Sequence, residues 1–458
     1  MKVHFIAIGG AVMHNLAITL RLKGFDVSGS DDEIHEPSRS RLASYGLLPE
    51  KYGWHPERIT KDLDAVILGM HARSDNPELR TAIQKGIKVI SFPEFLYEQT
   101  KNKKRIVVAG SHGKTTTTAM IMHVLEYNGV GFDFMVGSSV EGYETMVRLS
   151  ENSDIAVFEG DEYLASPVDR RPKFHLYKPD IAVINGIAWD HMNVFPTFDN
   201  YILQFRIFAD LIEKNGSLIY FDGDPEVRKI AVAARSDIKK IPYNIHAHFM
   251  NKTGFYAATL NRTIPMKIFG EHNMQNLSAA REACIAAGIP EDRFYNAIRS
   301  FAGTSGRLQM IASGNNGIGY LDFAHAPSKV RATVDAVAER YPGRNLIACF
   351  ELHTFSSLSS NFLPFYKGSL EKATKAYVYF NPRQLEMKKL PPLSREEVKQ
   401  AFGTGNTEVF DNSEEMFRSL RKSRTDSPVY LFMSSGDFDG CDIKTLAEEL
   451  VNQDSKFL

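Results

Sequence analysis

Three observations predict an α/β protein of three domains with mostly parallel sheets. Short apolar runs recur along the chain, each ending in glycine or a polar turn, and helical stretches separate them. Several of those runs are apolar at every residue rather than at alternate ones, which marks strands covered on both faces. A length of 458 residues also exceeds what one hydrophobic core supports. The boundaries expected are 1–101 for a Rossmann-like domain, 102–303 for a central phosphate-loop domain and 304–458 for a second Rossmann-like domain.

Val3 to Ile8 reads as the first strand, Gly9-Gly10 breaks it, a helical stretch runs to Leu22, and a second strand near Phe25 to Ser28 ends at Asp31. That order is a Rossmann-like opening. Ala65 to Leu68 and Lys88 to Ile90 add strands to the same domain. Lys101-Asn102-Lys103-Lys104-Arg105 then reads as a solvated linker. In the central domain the strands expected are Ile106 to Ala109, Ile155 to Phe158 and Ile181 to Ile184, followed by a helix over Leu277 to Ala287. After the small, polar stretch Phe301 to Gly306, a third pattern places strands near Gly319 to Leu321, Leu346 to Phe350, Ala376 to Tyr379 and Val429 to Met433. No internal repeat interrupts this order.

The junction after Ala109 is the most informative. Gly110-Ser111-His112-Gly113-Lys114-Thr115-Thr116-Thr117-Thr118 joins a buried-type strand to a helix through a glycine turn. Gly110 and Gly113 let backbone N–H groups turn toward one point. Lys114 adds a mobile positive charge, Thr115 offers an oxygen to Mg²⁺, and the helix N-terminus favours the same anion. The loop is a shortened variant, because the longer glycine-lysine pattern wants glycine where Val108 stands. Four consecutive β-branched threonines are a poor helix start unless their hydroxyls have other partners. A nucleotide phosphate cradle is the expectation, against a plain glycine turn capping a helix.

In parallel α/β sheets ligands collect beyond the carboxyl ends of strands, so distant segments converge there. Glu159-Gly160-Asp161-Glu162-Tyr163 and Asp190-His191 follow two of the expected strands, and hard oxygen ligands suit Mg²⁺. Read singly, each is more often a helix cap or a surface hydrogen bond than a metal ligand. Asn273 and Asn276 lie three apart, on one face of a helix, and an amide presents both donor and acceptor to an adenine edge; an N-cap accounts for one of them equally well. Arg307 follows Gly306 and offers a planar fork to phosphate, while Asp322 at a strand end could hold ribose hydroxyls. A surface salt bridge is the plain alternative for both.

Composition excludes several classes. A formal net charge of -1 leaves no basic footprint for nucleic acid and no attraction to a membrane surface. Cys284, Cys349 and Cys441 are odd in number and far apart, which suggests neither a disulfide framework nor a cysteine metal site and fits a cytoplasmic location. His14 and Asn15 interrupt the apolar N-terminus, so no signal peptide is expected, and no apolar run reaches the ~18 residues of a membrane span.

Taken in order, A-I-G-G-A-V-M, G-S-H-G-K-T-T-T-T, E-G-D-E-Y, W-D-H-M, G-E-H-N-M-Q-N, G-R-L-Q and D-F-A-H resemble the Mur ligase family over nearly the whole chain. The resemblance implies a UDP-sugar domain, a central ATPase and a C-terminal domain for the incoming amine. It implies ATP and Mg²⁺ as cofactors, with Gly110, Ser111, His112, Gly113, Lys114, Thr115, Thr116, Asn273, Asn276, Arg307 and Asp322 on ATP. Thr115, Glu159 and His191 fall to the metal, and Gly9, Gly10, Asp31 and His71 to the UDP-sugar. Lys114, Glu159, His191 and Arg307 carry the catalysis, acyl transfer through an acyl phosphate. Within the family, E-G-D-E-Y continuing into Asp169-Arg170-Arg171-Pro172-Lys173-Phe174 and Tyr177 is similar to ligases that join UDP-N-acetylmuramate to the recycled tripeptide L-alanyl-γ-D-glutamyl-meso-diaminopimelate. Ligation of L-alanine is the first alternative, and a non-ligating UDP-sugar and ATP binder is the second.

The chain departs from the family pattern in places. Ala7 stands for a first glycine, Leu321 and Ala326 for an aspartate and a histidine, and Phe350 to Ser357 lacks the usual proline and arginine. Arg206 stands where some members carry a carbamoylated lysine, so none is expected. Gly303 to Gly306 is the expected hinge for closure of the third domain.

Overall fold

The computed structural model describes residues 1–190, 192, 194–403, 405–423 and 425–452, so the His191 expectation lies outside the described residues. The chain forms two compact units, one of Met1–Ile187, Pro196–Asn244 and Gln275–Ile298, the other of Ala188–Phe195, Ile245–Met274 and Arg299–Leu458. Both are α/β with mostly parallel sheets, as expected.

In the first unit, β1 (Lys2–Ile6), β2 (Asp26–Ser30), β3 (Ala65–Leu68) and β4 (Val89–Ser91) form a parallel sheet in the order β2-β1-β3-β4. The first strand stops at Ile6, because Ala7 takes a left-handed φ of 66° and turns the chain toward the helix Ala11–Leu22. A seven-stranded sheet follows from β5 (Lys104–Ala109), β6 (Phe132–Met135), β7 (Val147–Arg148), β8 (Ile155–Glu159), β9 (Ile181–Ile184), β10 (Ser217–Phe221) and β11 (Lys239–Tyr243). Its order is β11-β10-β9-β5-β8-β6-β7, parallel throughout except at β7. Every residue of Ile106–Ala109, Ile155–Glu159 and Ile181–Ile184 is buried, which explains why these strands read as unbroken apolar runs.

One expectation is corrected here. The segment Lys101 to Arg105 is only partly a solvated linker: Lys101, Asn102 and Lys104 are exposed, but Lys104 and Arg105 open β5 and Arg105 is 3% exposed. The Arg105 guanidinium donates to the carbonyls of Thr100, Lys101, Lys103 and Lys178 and pairs with Asp180 at 3.1 Å. Lys103 donates to Asp133, the Ser150 carbonyl and Ser153. Some of these acceptors, Asp133, Ser150, Ser153, Lys178 and Asp180, lie far away in sequence, so the run looks wholly solvated.

In the second unit, β12 (His248–Asn251), β13 (Gly254–Ala258) and β14 (Thr263–Met266) make an antiparallel meander that the sequence did not announce. A six-stranded sheet comprises β15 (Gln309–Ser313), β16 (Ile318–Asp322), β17 (Asn345–Leu352), β18 (Lys375–Phe380), β19 (Thr407–Phe410) and β20 (Pro428–Met433). Its order is β15-β16-β20-β17-β18-β19, with only β15 antiparallel. The asparagine-bearing helix starts at Glu271, six residues before the start expected. Among the described residues, no helix is long and apolar enough to cross a membrane.

Candidate functional site

The carboxyl ends of β5, β8 and β9 converge in the first unit. After Ala109, Gly110 at φ 125° and Gly113 at φ 69° wind the loop into the helix Lys114–Tyr127. A Cβ on Gly110 would lie 2.8 Å from the Asn185 backbone nitrogen, and one on Gly113 would lie 1.9 Å from Asn276 Oδ1. Both glycines are therefore required by close approach as well as by φ. Lys114 Nζ donates to the Gly110 carbonyl and to Glu162 Oε2, each at 2.7 Å. Burial works against its charge, but Glu162 and then Asp161 outweigh it and hold the ammonium's pKa above the ordinary lysine value.

Thr115 Oγ1 donates to Glu159 Oε1 at 2.8 Å, and the Gly137 N–H donates to Glu159 Oε2 at 2.8 Å. This hydroxyl–carboxylate pair at a helix N-terminus suits Mg²⁺, which takes one or two protein oxygens and fills its shell with phosphate and water. Among the described residues, no group of three or more His, Cys, Asp or Glu is placed to hold a metal by itself. Ser111 shares a hydrogen bond of 2.9 Å with Tyr201 Oη, which donates to Glu162 Oε1 at 3.1 Å. Asn185 Nδ2 donates to Thr117 Oγ1 at 2.9 Å, and Tyr243 donates to Asn185 Oδ1 at 2.8 Å. The threonine ladder thus gives part of its hydroxyl capacity to neighbouring strands. Thr116 is buried and His112 half-buried beside the loop.

Gly110, Ser111, Gly113, Lys114, Thr115, Glu159 and Asn276 come together in this way. Glu162, Asn185 and Tyr201 complete the arrangement without having been singled out. A signal did exist, because Glu162 belongs to the acidic segment after β8 and Asn185 directly follows β9.

At the first sheet, the Gly9 N–H donates to Asp31 Oδ2 at 2.7 Å, so Asp31 stands beside the glycine turn. Burial pushes its pKa up to about 6, against the opposing pull of the Gly9 N–H. Gly10 caps the helix Ala11–Leu22, and His71 is exposed.

The remaining expected residues belong to the second unit. Asn273 Nδ2 donates to the Phe269 carbonyl at 2.8 Å, a local bond within its own helical turn. The Arg307 guanidinium stacks 4.4 Å above the Phe323 ring centre. Asp322 accepts the Leu308 N–H at 2.5 Å and the Ala324 N–H at 2.7 Å, which ties the segment after Arg307 to the end of β16. Burial raises the Asp322 pKa, and Arg307 partly offsets this. Beside them, Asp190 Oδ2 lies 4.0 Å from His325 Nε2 and 3.7 Å from Lys329 Nζ.

Three family profiles match the chain in sequence. One described as Mur ligase family, catalytic domain, matches residues 2–104; the Mur ligase middle domain matches 108–284; the Mur ligase, glutamate ligase domain, matches 306–436. The UDP-N-acetylmuramate–L-alanine ligase of Clostridium acetobutylicum is 30% identical over 455 residues, covering 95% of each chain. Among solved structures, a murein peptide ligase from Psychrobacter arcticus matches with a TM-score of 0.68 and 22% identity, covering 99% of this chain and 100% of that one. A UDP-N-acetylmuramate:L-alanyl-γ-D-glutamyl-meso-diaminopimelate ligase from a Neisseria species matches at 0.59 and 26%, over 66% of this chain and 98% of the other.

Proposed function

The chain belongs to the Mur ligase family, whose members form amide bonds at the expense of ATP with release of ADP, and we propose that its substrates are UDP-N-acetylmuramate and the tripeptide L-alanyl-γ-D-glutamyl-meso-diaminopimelate. The observation that carries this choice is the segment from Asp169 to Lys173, built onto the carboxylates after β8 by the Lys173–Asp161 ion pair of 2.5 Å. The Neisseria ligase, whose name includes that tripeptide, is similar over two thirds of the chain.

The donor set fits ATP: Lys114 with its ammonium held charged, and the Thr115 hydroxyl paired with Glu159, stand together at the N-terminus of the helix Lys114–Tyr127. Lys114 neutralises the terminal phosphates, while Thr115 and Glu159 hold Mg²⁺ against them. Bound there, ATP supplies the phosphoryl group that makes a carboxylate electrophilic. The substrate carboxylate oxygen attacks the γ-phosphorus, and a C–O–P anhydride forms as ADP departs. The amine nitrogen then attacks the acyl carbon, inorganic phosphate leaves and the nitrogen gives up a proton. Charge stabilisation dominates such a sequence, so Lys114→Ala lowers turnover at least about 10²- to 10³-fold.

Ligation of L-alanine is the second reading, favoured by 30% identity to the Clostridium acetobutylicum enzyme. ATP-dependent phosphate release with UDP-N-acetylmuramate, measured with L-alanine and with the tripeptide in parallel, separates the two. Turnover with the tripeptide alone supports the first reading, and turnover with L-alanine alone replaces it.

A further inference from the structure

The segment from Asp169 to Lys173 folds back on the acidic stretch after β8. Leu164 and Pro172 form an isolated bridge, the Ala165 N–H donates to the Arg171 carbonyl at 2.9 Å, and the Lys173 N–H donates to the Tyr163 carbonyl at 2.9 Å. Its cations then part company. Arg171 turns outward, 60% exposed and paired with Asp169 at 2.7 Å, whereas Lys173 turns inward with 16% of its side chain exposed. Lys173 Nζ lies 2.5 Å from Asp161 Oδ2 and over two aromatic faces, 5.6 Å from the Phe92 ring centre and 5.8 Å from that of Tyr163. Phe92 opens the helix that follows β4, so this lysine stands where the first sheet's domain meets the phosphate-loop sheet.

We propose that Lys173 binds the carboxylate of the acid substrate, the group that receives the γ-phosphoryl; this rests on the ligase reading above. An acid carried on the Rossmann-like domain must bring its carboxylate to phosphates held at Lys114, and two anions approach only with a cation between them. Asp161 is the link, because it interacts with Lys173 and with Lys114. Its side chain is 36% exposed, so Lys173 is paired with a carboxylate that opens to solvent rather than sealed in the core. An ammonium beside a carboxylate that opens to solvent is a donor suited to a second carboxylate.

The test compares the wild-type chain with Lys173→Met and Lys173→Arg, measuring phosphate release against UDP-N-acetylmuramate concentration with each amine. ATP affinity is measured separately by nucleotide titration. Loss of one charged hydrogen bond raises KM for UDP-N-acetylmuramate about 10- to 100-fold in K173M, and K173R recovers most of it. ATP affinity stays within about threefold of wild type. An unchanged KM for the acid, or an equal loss of ATP affinity, overturns the proposal. Should K173M fail to fold, Lys173→Gln gives the same comparison with a polar side chain. A wild-type chain that binds ATP yet releases no phosphate with either amine defeats the ligase substrates themselves, and this inference with them, before any variant is read.

Discussion

Arg105 is charged, 3% exposed, and surrounded by carbonyl and carboxylate acceptors. Its fork satisfies four carbonyls and Asp180, drawn from the segments 100–103 and 178–180, with Glu213 at 3.6 Å, so it fastens the start of β5 to the end of the loop before β9. Removing this donor leaves several carbonyls short of a partner, which costs about 1–3 kcal/mol, while Asp180 keeps water access. Arg105→Met therefore lowers the denaturant midpoint strongly, whereas Lys104→Met at the exposed neighbour leaves it within experimental scatter. Equal midpoints for the two variants would refute this account. The same logic explains why the residue was misread: a lysine-rich run carries no local sign of the acceptors at Lys178 and Asp180, more than seventy positions onward.

At the scale of elements, the loop between β5 and its helix shows which features are local and which are not. Gly113 is constrained twice, by φ 69° and by the Asn276 amide that occupies the place of its missing side chain. Gly113→Ala must strain the backbone by about 1 kcal/mol and displace Asn276 as well. We expect KM for ATP to rise at least about tenfold while circular dichroism stays native; an unaltered KM would mean that the cradle is not the ATP site. Glycine, lysine and threonine at such spacing are legible in sequence because the backbone itself makes the cradle. Wholly buried strands such as Ile181–Ile184 are legible for a related reason, since burial on both faces leaves an unbroken apolar run. Lys239–Tyr243 was not legible: it holds two lysines and a proline and lies at the sheet edge, where only one neighbour asks anything of it. Glu162 belongs with the illegible features too. Glu159, Asp161 and Glu162 are interchangeable on paper, and only the tertiary arrangement gives Glu162 to Lys114, Glu159 to Thr115 and Asp161 to Lys173.

For the whole molecule, buried histidines decide the response to acid. His14 and His175 in the first unit and His272 and His325 in the second are all held below the ordinary histidine pKa of 6.5, chiefly by burial. His272 falls to about 4, and its Nδ1 is buried without a hydrogen-bond partner among the described residues; His325 falls to about 3, with Lys329 adding to burial. A group whose folded pKa is depressed leaves the unfolded chain binding more protons in between, so its contribution is present above about 6.5 and is lost as pH falls. Asp31, raised to about 6, works in the opposite sense: its folded form takes the proton first, so its contribution is lost as pH rises through that value. At about 1.4 kcal/mol per unit, acidification from pH 7 to 5 recovers roughly one unit from Asp31 and removes roughly one and a half units from each of His272 and His325. The histidines prevail, and the melting temperature falls between pH 7 and pH 5. His272→Gln removes one of the contributors, so its melting temperature declines less steeply over that interval whatever its value at pH 7. A decline parallel to wild type would show that His272 accepts its proton in the folded chain at no cost, and the burial argument would then fail at its best-placed residue.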